Sequence, residues 1–140
     1  MTYLNATDVR RDWSTVCDSV IREKPCFIKR IRDHMFLTDV SILEYLLSVY
    51  SFHAELLCED NGTVTISLDE IDLVENGVNE QDAIKKMAAS ILDYSQDYYR
   101  EFNYWARGNR VQHIPYVFKS LILNDLDKIG GLIECRHGEI

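Results

Sequence analysis

The chain has 140 residues, 46% of them hydrophobic and 27% charged, which suits a soluble globular protein and argues against disorder over most of its length. No apolar run reaches the length of a membrane span, and the start Met1-Thr-Tyr-Leu-Asn5 lacks a basic stretch followed by an apolar core, so a cytoplasmic protein without a signal peptide is expected. The formal charge of −8 arises entirely after residue 50, because residues 1–50 hold seven basic and seven acidic side chains; the two parts therefore invite different partners.

In chain order, Thr2–Asn5 reads as a short strand leading into a helix capped by Asn5, with Asp8 three residues on. Val9, Trp13, Val16, Cys17, Val20 and Ile21 then share one helical face. Ser14 offers a second cap, so this region is one helix or two short ones in series. Pro25 ends it. Cys26–Ile28 and Met35–Leu37 read as paired strands around a basic hairpin loop, Lys29-Arg-Ile-Arg-Asp-His34, that contains no glycine. Ser41 is expected to cap a helix carrying Ile42, Leu43, Tyr45, Leu46, Val49 and Tyr50, and the first part ends near residue 50.

The second part opens with a hairpin. Phe52, Ala54, Leu56 and Cys58 alternate, Asn61-Gly62 supplies a turn in which both residues tolerate positive φ, and Val64, Ile66 and Leu68 alternate back. Ile71–Glu75 is expected to add a third strand before a turn at Asn76-Gly77. Asn79 with Asp82 caps the longest helix, whose apolar positions run from Ile84 to Trp105 and whose end is placed at Gly108. About 26 residues of helix would measure about 39 Å. His113 enters a further helix at Pro115, and the Gly130-Gly131 pair breaks the chain before a short apolar tail, Leu132-Ile133.

The stretches Asn5-Ala-Thr-Asp-Val-Arg10-Arg11-Asp-Trp-Ser14, Lys24-Pro-Cys-Phe-Ile-Lys-Arg30 and Ser41-Ile-Leu-Glu44-Tyr45-Leu46 resemble the N-terminal domain of the Phd/YefM antitoxin family. That family carries DNA-contacting arginines on its first helix and after the following strand, which the resemblance assigns to Arg10 and Arg30. This chain departs at the hairpin, where the usual glycine turn is replaced by Ile31-Arg-Asp-His34 and one extra residue is expected. Residues 52–95 resemble more weakly the partial RNase H-like fold of the HicB antitoxins, through Thr65-Ile-Ser-Leu68-Asp-Glu-Ile-Asp72, Gly77 and Asn79-Glu-Gln-Asp82-Ala-Ile84, without the Pro-Gly elements usual at that corner. Residues 100–140 resemble no family. The expected architecture is α+β: residues 1–50 form a β-α-α-β-β-α unit that dimerises and binds DNA, and residues 51–140 an acidic hairpin-plus-helices unit that holds a partner.

The resemblance implies an antitoxin of a type II toxin–antitoxin system, not an enzyme, with a cognate toxin and operator DNA as partners. A homodimer, or a higher oligomer, would repress its own operon. The DNA-binding residues are expected to be Arg10, Arg11, Lys29, Arg30 and Arg32, since the planar guanidinium fork suits phosphate or guanine. The interspersed Asp8, Asp12, Glu23 and Asp33 suit instead a merely solvated face, and hence an interaction module that no longer binds DNA. For the toxin, residues 55–101 carry twelve acids against three bases, a field that attracts a basic protein. Tyr98 and Phe102 are assigned to the core, and Tyr99, Tyr104 and Trp105 to the interface. Asp69, Glu70 and Asp72 could hold Mg²⁺ only if they shared a face, and alternation on a strand opposes that. Cys135 and His137 are too few for zinc. The four cysteines, with no Cys-x-x-Cys pair, read as reduced thiols. No metal, cofactor or membrane contact is expected.

Overall fold

The computed structural model describes residues 2–137 and divides into two compact units, Met1–Leu46 and Leu47–Ile140. It is a mixed α+β protein with two small sheets.

In the first unit, strand β1 (Tyr3–Asn5) leads into helix α1 (Ala6–Arg11), and Asn5 caps it by accepting from the Thr7 N–H at 2.8 Å. Helix α2 (Trp13–Arg22) follows after a break at Asp12, whose φ of −105° and ψ of 31° are not helical. Two short helices in series are thus present, with Asp12 rather than Ser14 at the junction. Strands β2 (Cys26–Arg30) and β3 (Asp33–Leu37) complete a sheet of order β1-β2-β3, parallel at β1–β2 and antiparallel at β2–β3. Val9, Val20 and Ile28 form its small buried centre. Helix α3 (Val40–Leu46) begins where Asp39 Oδ1 accepts from the Ser41 N–H, so Asp39 supplies the cap expected of Ser41.

The register of the basic hairpin is unbroken. Arg30 pairs with Asp33, leaving Ile31-Arg32 as a two-residue turn, and Ile31 takes the positive φ of +56° that a glycine would normally supply. A β-branched residue in this region is a steric outlier.

The second unit is a sheet of order β6-β5-β4-β7, built from β4 (Phe52–Cys58), β5 (Val64–Leu68), β6 (Val74–Gly77) and β7 (Ile133–His137). Phe52, Ala54 and Leu56 of β4 and Ile66 and Leu68 of β5 face helix α4 (Glu80–Arg100), which buries Ala83, Met87, Ala88 and Ile91 against them. Helices α5 (Phe102–Trp105), α6 (Ile114–Leu123) and α7 (Leu126–Gly131) complete the cover, with a 3₁₀ segment, Gly108–His113, before α6.

At the β4–β5 turn only Gly62 has positive φ (+86°), because the chain closes through Gly62 N–H to Glu59 O and not through a mirror-image two-residue turn. The third strand starts three residues later than expected, since the Leu68 N–H donates to Leu73 O and folds Asp69–Asp72 into a loop that buries Ile71. Gly77 is a strand residue with no turn of its own. A Cβ there would lie 2.3 Å from the Ala83 nitrogen, so its role is to let the start of α4 approach. Asn79 Oδ1 accepts from Asp82 N–H while Asp82 Oδ2 accepts from Val78 N–H, the reciprocal cap expected of this pair.

Helix α4 ends at Arg100, not Gly108. Its 21 residues measure about 32 Å. Beyond Tyr98 the apolar contacts lie back along the unit, with Phe102 against Phe118 and Trp105 against Tyr94, and a straight helix would carry those rings away. The Gly130-Gly131 pair lies inside the end of α7, where Gly130 packs on Ile84 and Ala88, and the supposed tail is strand β7, paired in parallel with β4 from Phe52↔Ile133 onward.

Candidate nucleic-acid and partner interfaces

The parallel register Asn5↔Lys29 sets the end of β1, and therefore the start of α1, beside the basic end of β2. Lys29, Arg30 and Arg32 share one hairpin, but Lys29 and Arg30 point to opposite faces because adjacent strand residues alternate. Arg30 shares the face of buried Ile28, and Lys29 that of Phe27, whose ring contacts Tyr3 and Phe36. Arg32 stands at the turn.

Two of the five cations are engaged by carboxylates. Arg11 donates to Asp12 at 3.1 Å and lies 3.3 Å from Asp8, which together hold its guanidinium above its ordinary pKa, the Asp12 hydrogen bond contributing most. Arg30 meets Asp33 at 3.3 Å. Both pairs are exposed and worth little energy, so either can open for a stronger anion. Arg10, Lys29 and Arg32 have no ion pair among the described residues. Arg10 instead borders an open apolar groove of about 610 Å³ whose walls include Val9, Trp13, Ile28, Met35 and Phe36.

In the second unit the aromatic cluster divides otherwise than periodicity implies. Tyr98 is fully buried and its hydroxyl donates to Arg110 O at 2.6 Å, as a core residue should. Phe102, also assigned to the core, is instead partly exposed at the break after α4. Tyr99 and Tyr104 are 59% and 73% exposed, as an interface requires. Trp105 is half-buried, with the Arg110 guanidinium 4.6 Å above its ring and Tyr94 edge-on.

Sequence reasoning missed the recess of about 210 Å³ formed by Ile71, Asp72, Leu73, Tyr94, Trp105, Arg110 and His113. His113 stands at the entry of α6, as its place before Pro115 suggested, but it is buried and shares a 2.6 Å hydrogen bond with the Tyr94 hydroxyl. Burial lowers its pKa and favours the neutral ring. No local pattern links residues 72, 94 and 113. Only the folding back of the chain after Arg100 brings them together.

The acidic corner is dispersed. Asp69 takes a bidentate pair from Arg136 at 2.7 and 3.0 Å, which lowers its pKa, while Glu70 accepts from both the His53 backbone N–H and the ring Nδ1. Asp72 borders the recess. His53 lies between Glu70 at 2.9 Å and Glu134 at 3.3 Å, and its pKa rises, chiefly through the Glu70 hydrogen bond. Among the described residues no three His, Cys, Asp or Glu side chains gather as a metal site. Cys135 is half-buried against the core, and all four cysteines are free. No described helix is long and apolar enough to cross a membrane.

A family model described as "Antitoxin of toxin-antitoxin, RelE / RelB, TA system", of PHD-like type, matches residues 1–135. A crystal structure of an antitoxin part of a proposed toxin/antitoxin system from Syntrophomonas wolfei subsp. wolfei superposes with a TM-score of 0.93 at 36% identity, covering 99% of this chain and 100% of that one. No curated protein matches the sequence.

Proposed function

Because the chain belongs to the PHD-like family of toxin–antitoxin antitoxins, we propose that it neutralises a cognate toxin by direct binding and, as a homodimer, represses its own operon. The family implies the toxin partner. The first unit meets operator DNA through Arg10, Arg11, Lys29, Arg30 and Arg32, and the acidic second unit meets the toxin through Tyr99, Tyr104 and Trp105. Phd/YefM-like and HicB-like characters for the two units fit this division.

The observation that carries the DNA role is the Asn5↔Lys29 register, which sets the arginine-bearing helix and the basic hairpin at one end of a sheet. The groove beside Arg10 supports dimerisation, since apolar walls including Trp13, Met35 and Phe36 stand open to water, and such patches favour association. A symmetric dimer would present the cations twice, as a palindromic operator requires. For the toxin, twelve acids against three bases over residues 55–101 give long-range attraction to a basic surface, and the exposed tyrosines give anchors.

One observation favours a second reading, a protein-binding module without DNA affinity: Arg11 and Arg30 already have carboxylate partners. Titrating the full chain against a duplex of its own upstream DNA at several salt concentrations decides between them. The repressor binds with steep salt dependence. Absence of binding at low salt, with toxin capture intact, selects the module.

A further inference from the structure

Ile31 is the feature of the first unit that stability does not explain. It is 88% exposed, more than any other large apolar side chain described. Its φ of +56° is one that a β-branched residue enters only against steric resistance, and glycine or asparagine would occupy it at less cost. The turn is otherwise firmly set. Five residue pairs fix the β2–β3 register, and Ile28 of β2 is buried. A side chain that neither packs nor relaxes its own backbone is thus held out at the tip, flanked by Arg30 and Arg32 with Lys29 one residue further back.

Resting on the DNA-binding reading above, we infer that Ile31 is a specificity-determining residue which touches thymine methyl groups in the major groove. A two-stranded ribbon fits that groove, whose floor carries the C5-methyl of thymine as its apolar feature. The neighbouring cations hold the phosphates on either side, which positions the tip without reading sequence. At 88% exposure the side chain stands clear in the turn beyond the last strand pair, Arg30↔Asp33. Polar or glycine turns would serve the phosphates equally well but leave the methyl unread.

The test crosses a protein change with a DNA change. Wild type, Ile31→Gly and Ile31→Asn are titrated against the protein's own upstream duplex, made once with thymidine and once with deoxyuridine, which lacks only the methyl. Glycine and asparagine both accept the turn conformation, so the hairpin persists and the melting temperature does not fall. Wild type is expected to bind the deoxyuridine duplex about tenfold more weakly, and both variants to bind the two duplexes alike at that weaker level. The slope of log K against log salt stays constant across all three proteins, because no phosphate contact is lost. Equal wild-type affinity for the two duplexes overturns the inference while the repressor reading stands. So do variants that retain the methyl preference. Capture of wild type but not Ile31→Gly by phosphatidylserine vesicles, with unchanged DNA titrations, assigns the tip to lipid and overturns it too. Failure of wild type to bind either duplex removes the repressor reading and the inference together.

Discussion

Replacing Arg10 and Arg30 together by alanine separates the two readings of the first unit by a number. In a homodimer the double substitution removes four cations. Each phosphate contact contributes about 0.9 to the slope of log K against log salt, so the slope should flatten by about 3.6. Over a fourfold rise in salt that difference amounts to about 150-fold in affinity, because four contacts release about four counterions fewer. The Arg30–Asp33 pair does not protect Arg30 from this count. Both side chains are more than 60% exposed and their 3.3 Å contact is worth only a fraction of one charge-assisted phosphate bond. Arg11→Ala is the internal control. Its pairs with Asp8 and Asp12 are as exposed as the Arg30–Asp33 pair and open as readily, so its loss should flatten the slope by about as much as Arg10→Ala does. Fluorescence anisotropy with the upstream duplex, at five salt concentrations and protein concentrations that keep the dimer intact, reads both quantities. A slope change below one for the double variant, with wild type binding normally, would refute phosphate contact by these residues.

Gly77→Ala should destabilise the second unit by about 1–3 kcal/mol, since its Cβ would sit 2.3 Å from the Ala83 nitrogen and backbone must move; denaturant titration reads it. His53 is held above its ordinary pKa by Glu70 and Glu134, so its contribution to stability is fully present below about pH 6.5 and fades as pH rises through the folded value. Thermal melts of wild type against His53→Ala should therefore converge toward high pH, and divergence there would contradict the assignment. Tyr99→Ala with Tyr104→Ala should weaken capture of the adjacent reading frame's product by about tenfold or more while leaving the melting temperature within a few degrees, because both rings are largely exposed. Equal capture by the variant would place the toxin surface elsewhere.

Much of the secondary structure is legible because local physics dictates it. Asn5 and the Asn79–Asp82 pair cap their helices through bonds spanning two to four residues, and the alternation of Phe52, Ala54 and Leu56 against Ile66 and Leu68 names the buried face of the second sheet. The first element order and the basic hairpin follow from the same short-range rules. At the candidate sites, the residue types and the charge contrast between the two parts were readable, but not the neighbours of any cation.

Only the tertiary structure decided where elements yield to packing. Helical periodicity continues past Arg100, yet the chain breaks there so that Trp105 can return to Tyr94 and Arg110. The Leu132-Ile133 segment is too short to declare itself a strand, and it becomes one because β4 offers an unpaired edge from Phe52 onward. Gly77 carries a turn residue's signature but answers a helix backbone six residues away. Arg11 and Arg30 acquire carboxylate partners while Arg10 has none among the described residues, and Ile31 takes a glycine's conformation at an exposed tip. The caps and alternations depend on residues within one or two turns, so sequence spacing encodes them. Edge pairing, helix breaks and ion-pair partners depend on which distant surfaces meet, and that is settled only when the chain closes on itself.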